Sequence, residues 1–394
     1  MSRHPLVQVT GGICALLLAM GIGRFAYTPI LPLMQQDQLI SDAASGYLAS
    51  SNYAGYLLGA LLAGWIPWKT HKTSCYRASL AASVLSTVLM GLTASYAAWF
   101  VLRFVSGAAS AFVFVLASSM VLDGLAAKGK TAWSGILYGG VGLGILASGL
   151  LVPLFDGLWG WRGAWLGLGA FSGLIAVFAW RWVDEEARRE PAAAASPARL
   201  TAPPARWIPW LIAAYGLEGL GYIVTGTFIV AIADKLPGMA GHSAWVWTLV
   251  GLAAAPSCIV WSFFAAKNGF VRILAAAMLV QAIGIVLPAI WPTTAGISIS
   301  AVLFGATFMG ITALATTLAR QINPTQSSRI IGILTAVYGA GQMLGPSGAG
   351  LLFHMTHQYN SALIGAGVIV LAGACLLSTG FSYDKKRGNY DAVR

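Results

Sequence analysis

Met20-Gly-Ile-Gly-Arg24-Phe-Ala-Tyr27-Thr-Pro29-Ile-Leu-Pro32 places one arginine inside an apolar run that starts near Leu6 and lasts to Met34. The run is long enough to cross a bilayer, whose hydrocarbon core takes about 20 mostly apolar helical residues. An ionised side chain at that depth needs a partner or a water-filled cavity, and marks a functional site by default. A single carboxylate stands deep in the corresponding run of the second half: Glu218, in Tyr215-Gly-Leu-Glu218-Gly-Leu-Gly-Tyr222-Ile. Two helical bundles closed around these opposite charges would answer both.

Composition agrees with a lipid environment. Only 9% of the 394 residues are charged and 58% are hydrophobic, too few charges to cover a soluble globule of this length. Twelve stretches can span a membrane: 7–34, 44–66, 76–95, 97–124, 132–154, 162–182, 207–233, 243–265, 271–290, 293–319, 329–352 and 359–380. The first is read as a retained span, because it runs past Arg24 without the small-residue cleavage site of a secretory signal. Cys14, Cys75, Cys258 and Cys375 show neither pairing nor metal spacing and are read as packing residues.

The net charge of +11 would suggest nucleic acid if the bases were clustered on a soluble face. They are instead sorted by loop. With the N-terminus in the cytoplasm, the outward segments hold only Arg162 and Lys235, Arg24 and Arg103 lie inside spans, and every other Lys and Arg falls on the inward side. This is the positive-inside bias for an even number of crossings, with both termini cytoplasmic and no basic patch left over for nucleic acid. The polar stretch from Val183 to Arg206, with Asp-Glu-Glu, Arg-Arg and an Ala/Pro-rich segment, reads as a cytoplasmic linker. It divides an all-α protein into six-helix bundles at 1–182 and 207–394, the latter with a short tail.

The two halves repeat. Gly135-Ile-Leu recurs as Gly332-Ile-Leu, Gly142-Leu-Gly as Gly339-Ala-Gly, Gly107-Ala as Gly305-Ala, and Leu116-Ala-Ser-Ser as Leu314-Ala-Thr-Thr, all at a nearly constant shift. Parallel half-repeats are a construction of secondary transporters, with the site near the midplane between the halves.

These features, together with Leu102-Arg103-Phe-Val-Ser-Gly107 on span four and Gly341-x-x-x-Gly345-Pro-x-Gly348-x-Gly350 on span eleven, resemble the major facilitator superfamily over the whole chain. More narrowly, the stretches around Arg24 and Glu218 are similar to its YbfB/YjiJ-like branch. The resemblance implies spans one, four, seven and ten around a central cavity, rocking between inward-open and outward-open states in a bacterial inner membrane. There are two departures. The loop after span two, Gly64-Trp-Ile-Pro-Trp-Lys69-Thr-His, lacks the family's Asp and paired Arg, and span five lacks the Gly-Pro that antiporters of the family carry.

The candidate substrate or coupling residues follow. On a helix, positions three or four apart share a face, which sets Arg24 beside Tyr27 and Glu218 beside Tyr222 and Thr225. Arg24 would hold Glu218 ionised in the empty state, and an anion taking over Arg24 would free Glu218 to accept a proton. The alternative is a static pair that fastens the halves, or two residues that never meet. Arg103 has three roles open to it: a second anion contact, a proton-relay neighbour, or a donor to backbone carbonyls freed in a kinked neighbour. Tyr53, Tyr138, Tyr338 and Gln342 are cavity candidates because, by the resemblance, spans two, five and eleven flank the cavity.

The expectation is a proton-linked secondary transporter, acting as a monomer on a small organic and anionic solute. It is not an enzyme and has no cofactor or metal. A proton-driven exporter of the same fold, a transport-dead receptor and a channel are the other readings. A channel would need a filter of repeated ligands, where this chain has two unequal halves.

Overall fold

The computed structural model describes residues 4–37, 40–66, 71–130, 133–184, 203–323 and 326–385, and among these it is helical with no strand. Most of the expected linker, residues 185–202, lies outside the described residues, as do residues 386–394 of the tail. The first span is made of three pieces: α1 (Pro5–Leu16), a π-helical segment (Leu17–Arg24) and α2 (Tyr27–Gln36). It is followed by α3 (Asp42–Trp65), α4 (Lys72–Leu92), α5 (Tyr96–Ala127) and α6 (Ser134–Trp182). After the linker come α7 (Ile208–Asp234), α8 (Ala244–Asn268), α9 (Phe270–Ile290), α10 (Thr294–Ile322), α11 (Ser327–Thr356), α12 (Asn360–Ser378) and the short α13 (Phe381–Lys385).

Local chemistry sets these boundaries. The Ser41 side chain accepts the Ala44 N–H at the start of α3, and Thr293 accepts that of Gly296 at the start of α10, each satisfying a donor with no intrahelical partner. The 49-residue α6 is two limbs rather than one rod. Trp159 leaves helical geometry and Gly160 adopts φ 61°, ψ −154°, a conformation essentially reserved for glycine, so the chain reverses between the expected fifth and sixth spans.

Among the described residues, nine helical stretches are long and apolar enough to cross a membrane. The bent α6 is one of them, and α3 and α11 fall outside the set because Ser, Asn, Tyr and Gly residues dilute their hydropathy. These two helices pack on each other.

Helix pairing shows the duplication seen in the sequence. In the first half α3 packs on α5 and α4 on α5; in the second, α8 packs on α10 and α9 on α10. The halves meet along α6–α8 and α3–α11, with α2 laid against α7. Small residues make these approaches possible, as expected for helices in lipid. A Cβ at Gly251 of α8 would collide with the Leu146 backbone of α6, and one at Gly46 of α3 with the Pro346 carbonyl of α11.

Polar ties between the halves cluster toward the face where α2 ends. Thr28 Oγ1 donates to the Gly226 carbonyl (2.6 Å), Gln36 Nε2 to Asp234 (2.8 Å) and Ser347 Oγ to Ser50 Oγ (2.7 Å). On the same face the Lys235 ammonium sits 4.0 Å over the Phe353 ring. Burial there lowers its pKa, against the opposing pull of Asp42 and Asp234.

The α6–α8 contact yields a paired test. Gly251→Ala is expected to lower the thermal unfolding midpoint in detergent, at a cost of about 1–3 kcal/mol typical of overpacking. Gly365→Ala on α12, where nothing lies within 4 Å of the added Cβ, should leave the midpoint unchanged.

Candidate functional site

The π-helical segment positions Arg24. Its wider turn is closed by the Phe25 N–H reaching the Met20 carbonyl five residues back (3.3 Å). Pro29, in the first turn of α2, lacks the N–H that would carry the ladder across the junction. A break of this kind leaves carbonyls without helical partners, and these are taken up by α5. Arg103 donates to the carbonyls of Gly23 (Nη1, 3.2 Å) and Arg24 (Nη2, 2.9 Å), and Ser106 Oγ adds a bond to Gly23 (2.7 Å). Asn52 of α3 in turn donates to the Arg103 carbonyl (2.8 Å). Of the three roles open to Arg103 in the sequence, the structure shows the donor to freed carbonyls.

The Arg24 side chain is 3% exposed and, among the described residues, has no carboxylate partner. Its Nη2 donates to Gln342 Oε1 on α11 (2.8 Å), and its Nε has no hydrogen-bond partner. The guanidinium carbon lies 3.9 Å from the Tyr56 ring centroid, 4.9 Å from Phe25 and 5.1 Å from Tyr53. Such faces attract a cation through their quadrupole. Gln342 continues the link by donating its amide N–H to the Tyr222 hydroxyl of α7. A hydrogen-bonded chain from Arg24 through Gln342 to Tyr222 therefore bridges the two halves.

Behind this bridge the second half offers a run of near-parallel rings. Tyr215 stacks on Tyr338 (4.2 Å, 7°), Tyr338 on Tyr222 (5.6 Å, 13°), Tyr222 on Phe308 (6.1 Å, 10°) and Phe308 on Phe304 (5.4 Å, 11°). From the first half, Phe25 meets Phe308 edge-on at 6.0 Å.

Two expectations need correction. Arg24 and Glu218 do not pair. Glu218 is wholly buried, neither carboxyl oxygen has a hydrogen-bond partner, and its polar neighbour is Gln281 of α9, outside hydrogen-bond geometry. The position that meets Arg24's partner is one helical turn on, at Tyr222. Nor does Tyr27 lie beside Arg24. The π turn and the irregular Phe25–Ala26 junction shift the register, so Tyr27 donates to the Ser45 carbonyl (3.0 Å) and lies under Arg103 (4.9 Å).

Of the remaining candidates, Tyr53, Tyr222, Tyr338 and Gln342 gather at the bridge. Thr225 is fully buried with an unpartnered hydroxyl, and Tyr138 packs on Phe114 at 5.7 Å. Phe25, Tyr215, Phe304 and Phe308 were not singled out by sequence. The four-residue spacing of the two Phe and the seven-residue spacing of Tyr215 and Tyr222 put each pair on one helix face, but in lipid-length helices that pattern also serves ordinary packing.

A model of the family described as "Uncharacterised MFS-type transporter YbfB" matches residues 16–377. The chain is 33% identical over 99 residues to the uncharacterized MFS-type transporter YceJ of Bacillus subtilis (strain 168), an alignment covering 25% of each chain. It is 28% identical over 148 residues to an uncharacterized MFS-type transporter of Yersinia pestis (strain Pestoides F), covering 35% of this chain and 38% of that one. These alignments thus span well under half the length of the curated relatives they match. A gentisate transporter of Corynebacterium glutamicum is 21% identical over 373 residues, 91% of this chain and 84% of its own. Among solved structures, the nucleoside transporter NupG superposes with a TM-score of 0.71 at 15% identity, over 95% of this chain and 99% of NupG, a likeness of fold.

The role found for Arg103 has a measurable consequence. Arg103→Lys should lower the unfolding midpoint in detergent nearly as far as Arg103→Met, because one ammonium does not reproduce the fork that holds two carbonyls. A buried acceptor left unsatisfied costs roughly 1–3 kcal/mol. A lysine variant as stable as the parent would contradict the capping role.

Proposed function

We propose, from the premise that the chain belongs to the YbfB-type family of the major facilitator superfamily, that it is a secondary active transporter carrying a small organic anion in step with protons. The family and the structural neighbours are membrane transporters rather than enzymes. In this reading twelve crossings form bundles at 1–182 and 207–394, and both termini are cytoplasmic in a bacterial inner membrane. A single chain encloses the pathway between its own halves. The face closed by Thr28–Gly226, Gln36–Asp234 and Ser50–Ser347 is then the outer one.

The observation that carries the anion assignment is Arg24: a buried guanidinium at the junction of the halves, held by a neutral amide and aromatic faces, with no counter-charge among the described residues. An uncompensated charge in lipid is costly and is kept where function uses it. A substrate carboxylate or similar anion supplies the missing charge. The relative named as a gentisate transporter supports this, gentisate being a small carboxylate.

Glu218 is the proton site in this account. Its carboxyl lacks a basic partner, and a buried carboxyl escapes the cost of an uncompensated charge by holding its proton. Coupling does not run through a direct Arg24–Glu218 pair. It runs through Gln342 and Tyr222, which an anion on Arg24 displaces, altering the packing one helical turn from Glu218.

Purified protein in proteoliposomes tests both parts. Arg24→Ala should abolish saturable anion flux. Glu218→Gln should keep substrate counterflow while losing the response to an imposed pH gradient. Gradient dependence equal to the parent in Glu218→Gln would remove the proton role, and flux only of cations would overturn the anion assignment. Ligand binding without any flux would favour a receptor.

A further inference from the structure

Resting on the anion reading above, we propose that the site selects planar aromatic acids over aliphatic acids of the same size and charge. The charge contact comes first. Arg24 has an unpartnered Nε next to an Nη2 that holds only Gln342 Oε1. That Nε–Nη2 edge is the side of a guanidinium which takes a carboxylate through two parallel bonds. A carboxylate arriving there displaces a neutral amide, satisfies the idle Nε and provides the counter-charge, three gains at one position.

What lies beyond the carboxylate is set by the rings. Gln342, the group displaced, is bonded to the Tyr222 hydroxyl, and Tyr222 belongs to the run of faces made with Tyr215, Tyr338, Phe304 and Phe308. Their planes lie within 18° of one another in each successive pair, although they come from α7, α10 and α11. Aromatic pairs also adopt edge-to-face geometry readily, as Phe25 does against Phe308 at 75°. The rings are buried against one another and reach Arg24 through Gln342, so an anion that displaces this amide puts the flat ring it carries against aligned ring faces. The Arg24 plane is itself flanked by Tyr53 and Tyr56 of α3, in its own half. A puckered aliphatic ring gains the same charge contact and similar apolar burial but no stacking, a difference of about tenfold in affinity.

The test is calorimetric titration of the full-length protein in detergent with benzoate, cyclohexanecarboxylate and benzylamine. Benzoate should bind roughly tenfold tighter than cyclohexanecarboxylate. Phe308→Leu and Tyr222→Leu should bring that ratio to about one while cyclohexanecarboxylate still binds, and Tyr222→Phe should keep the ratio. Arg24→Ala should lose both acids. Equal affinity of the parent for the two acids would overturn aromatic selection and leave the anion reading standing. Binding of benzylamine but neither acid would overturn both, as would binding of none of the three. Should the leucine variants fail to fold, the parent ratio and the Tyr222→Phe result still decide the question.

Discussion

A guanidinium in the middle of a bilayer has to be answered by something, and Arg24 is answered by an amide oxygen and three aromatic faces instead of a carboxylate. An amide dipole and ring quadrupoles soften the cost of burial without cancelling the charge. The surroundings of Arg24 are built to hold it in that state. The π turn carries it to the seam between the halves, and Arg103 and Ser106 bind the carbonyls that the turn exposes. One arginine thereby satisfies carbonyls that the π turn leaves open, while the other keeps an unpartnered Nε at the seam.

The scaffold around the seam follows from the duplication. Each half pairs its helices in the same pattern, and the two seam contacts, α3–α11 and α6–α8, correspond under the repeat. Glycines let backbones touch there, and contact between small residues involves few interlocked side chains. Against that smooth background the few polar bridges, Arg24–Gln342–Tyr222 among them, contribute disproportionately to holding one arrangement.

Much of this was legible in the sequence where lipid imposes a strong rule. Charge depletion and the lengths of the apolar runs pointed to a membrane protein, and Arg24 stood out because a charge inside an apolar run has few explanations. The partner of Arg24 was not legible. Choosing Glu218 relied on opposite charge, whereas which side of α7 faces the seam is decided by packing, and packing turned Tyr222 toward Gln342 and left Glu218 near α9. The i, i+3 relation of Arg24 and Tyr27 assumed an α-helix, and the π turn breaks it; Gly21, Gly23 and Pro29 hint at irregularity without stating its pitch. The aligned rings were invisible for another reason: helices that are apolar all round have no polar face against which a functional aromatic stripe shows.

Arg24, with no carboxylate partner among the described residues, is joined to the opposite half through Gln342. A double-mutant cycle measures this most directly, using Arg24→Met, Gln342→Leu and the combined variant in ligand-free protein, with unfolding free energy in detergent as the readout. A bridge of this kind predicts a coupling energy of about 1–3 kcal/mol, as for hydrogen bonds to charged groups. Additive single-variant effects, with coupling near zero, would contradict it.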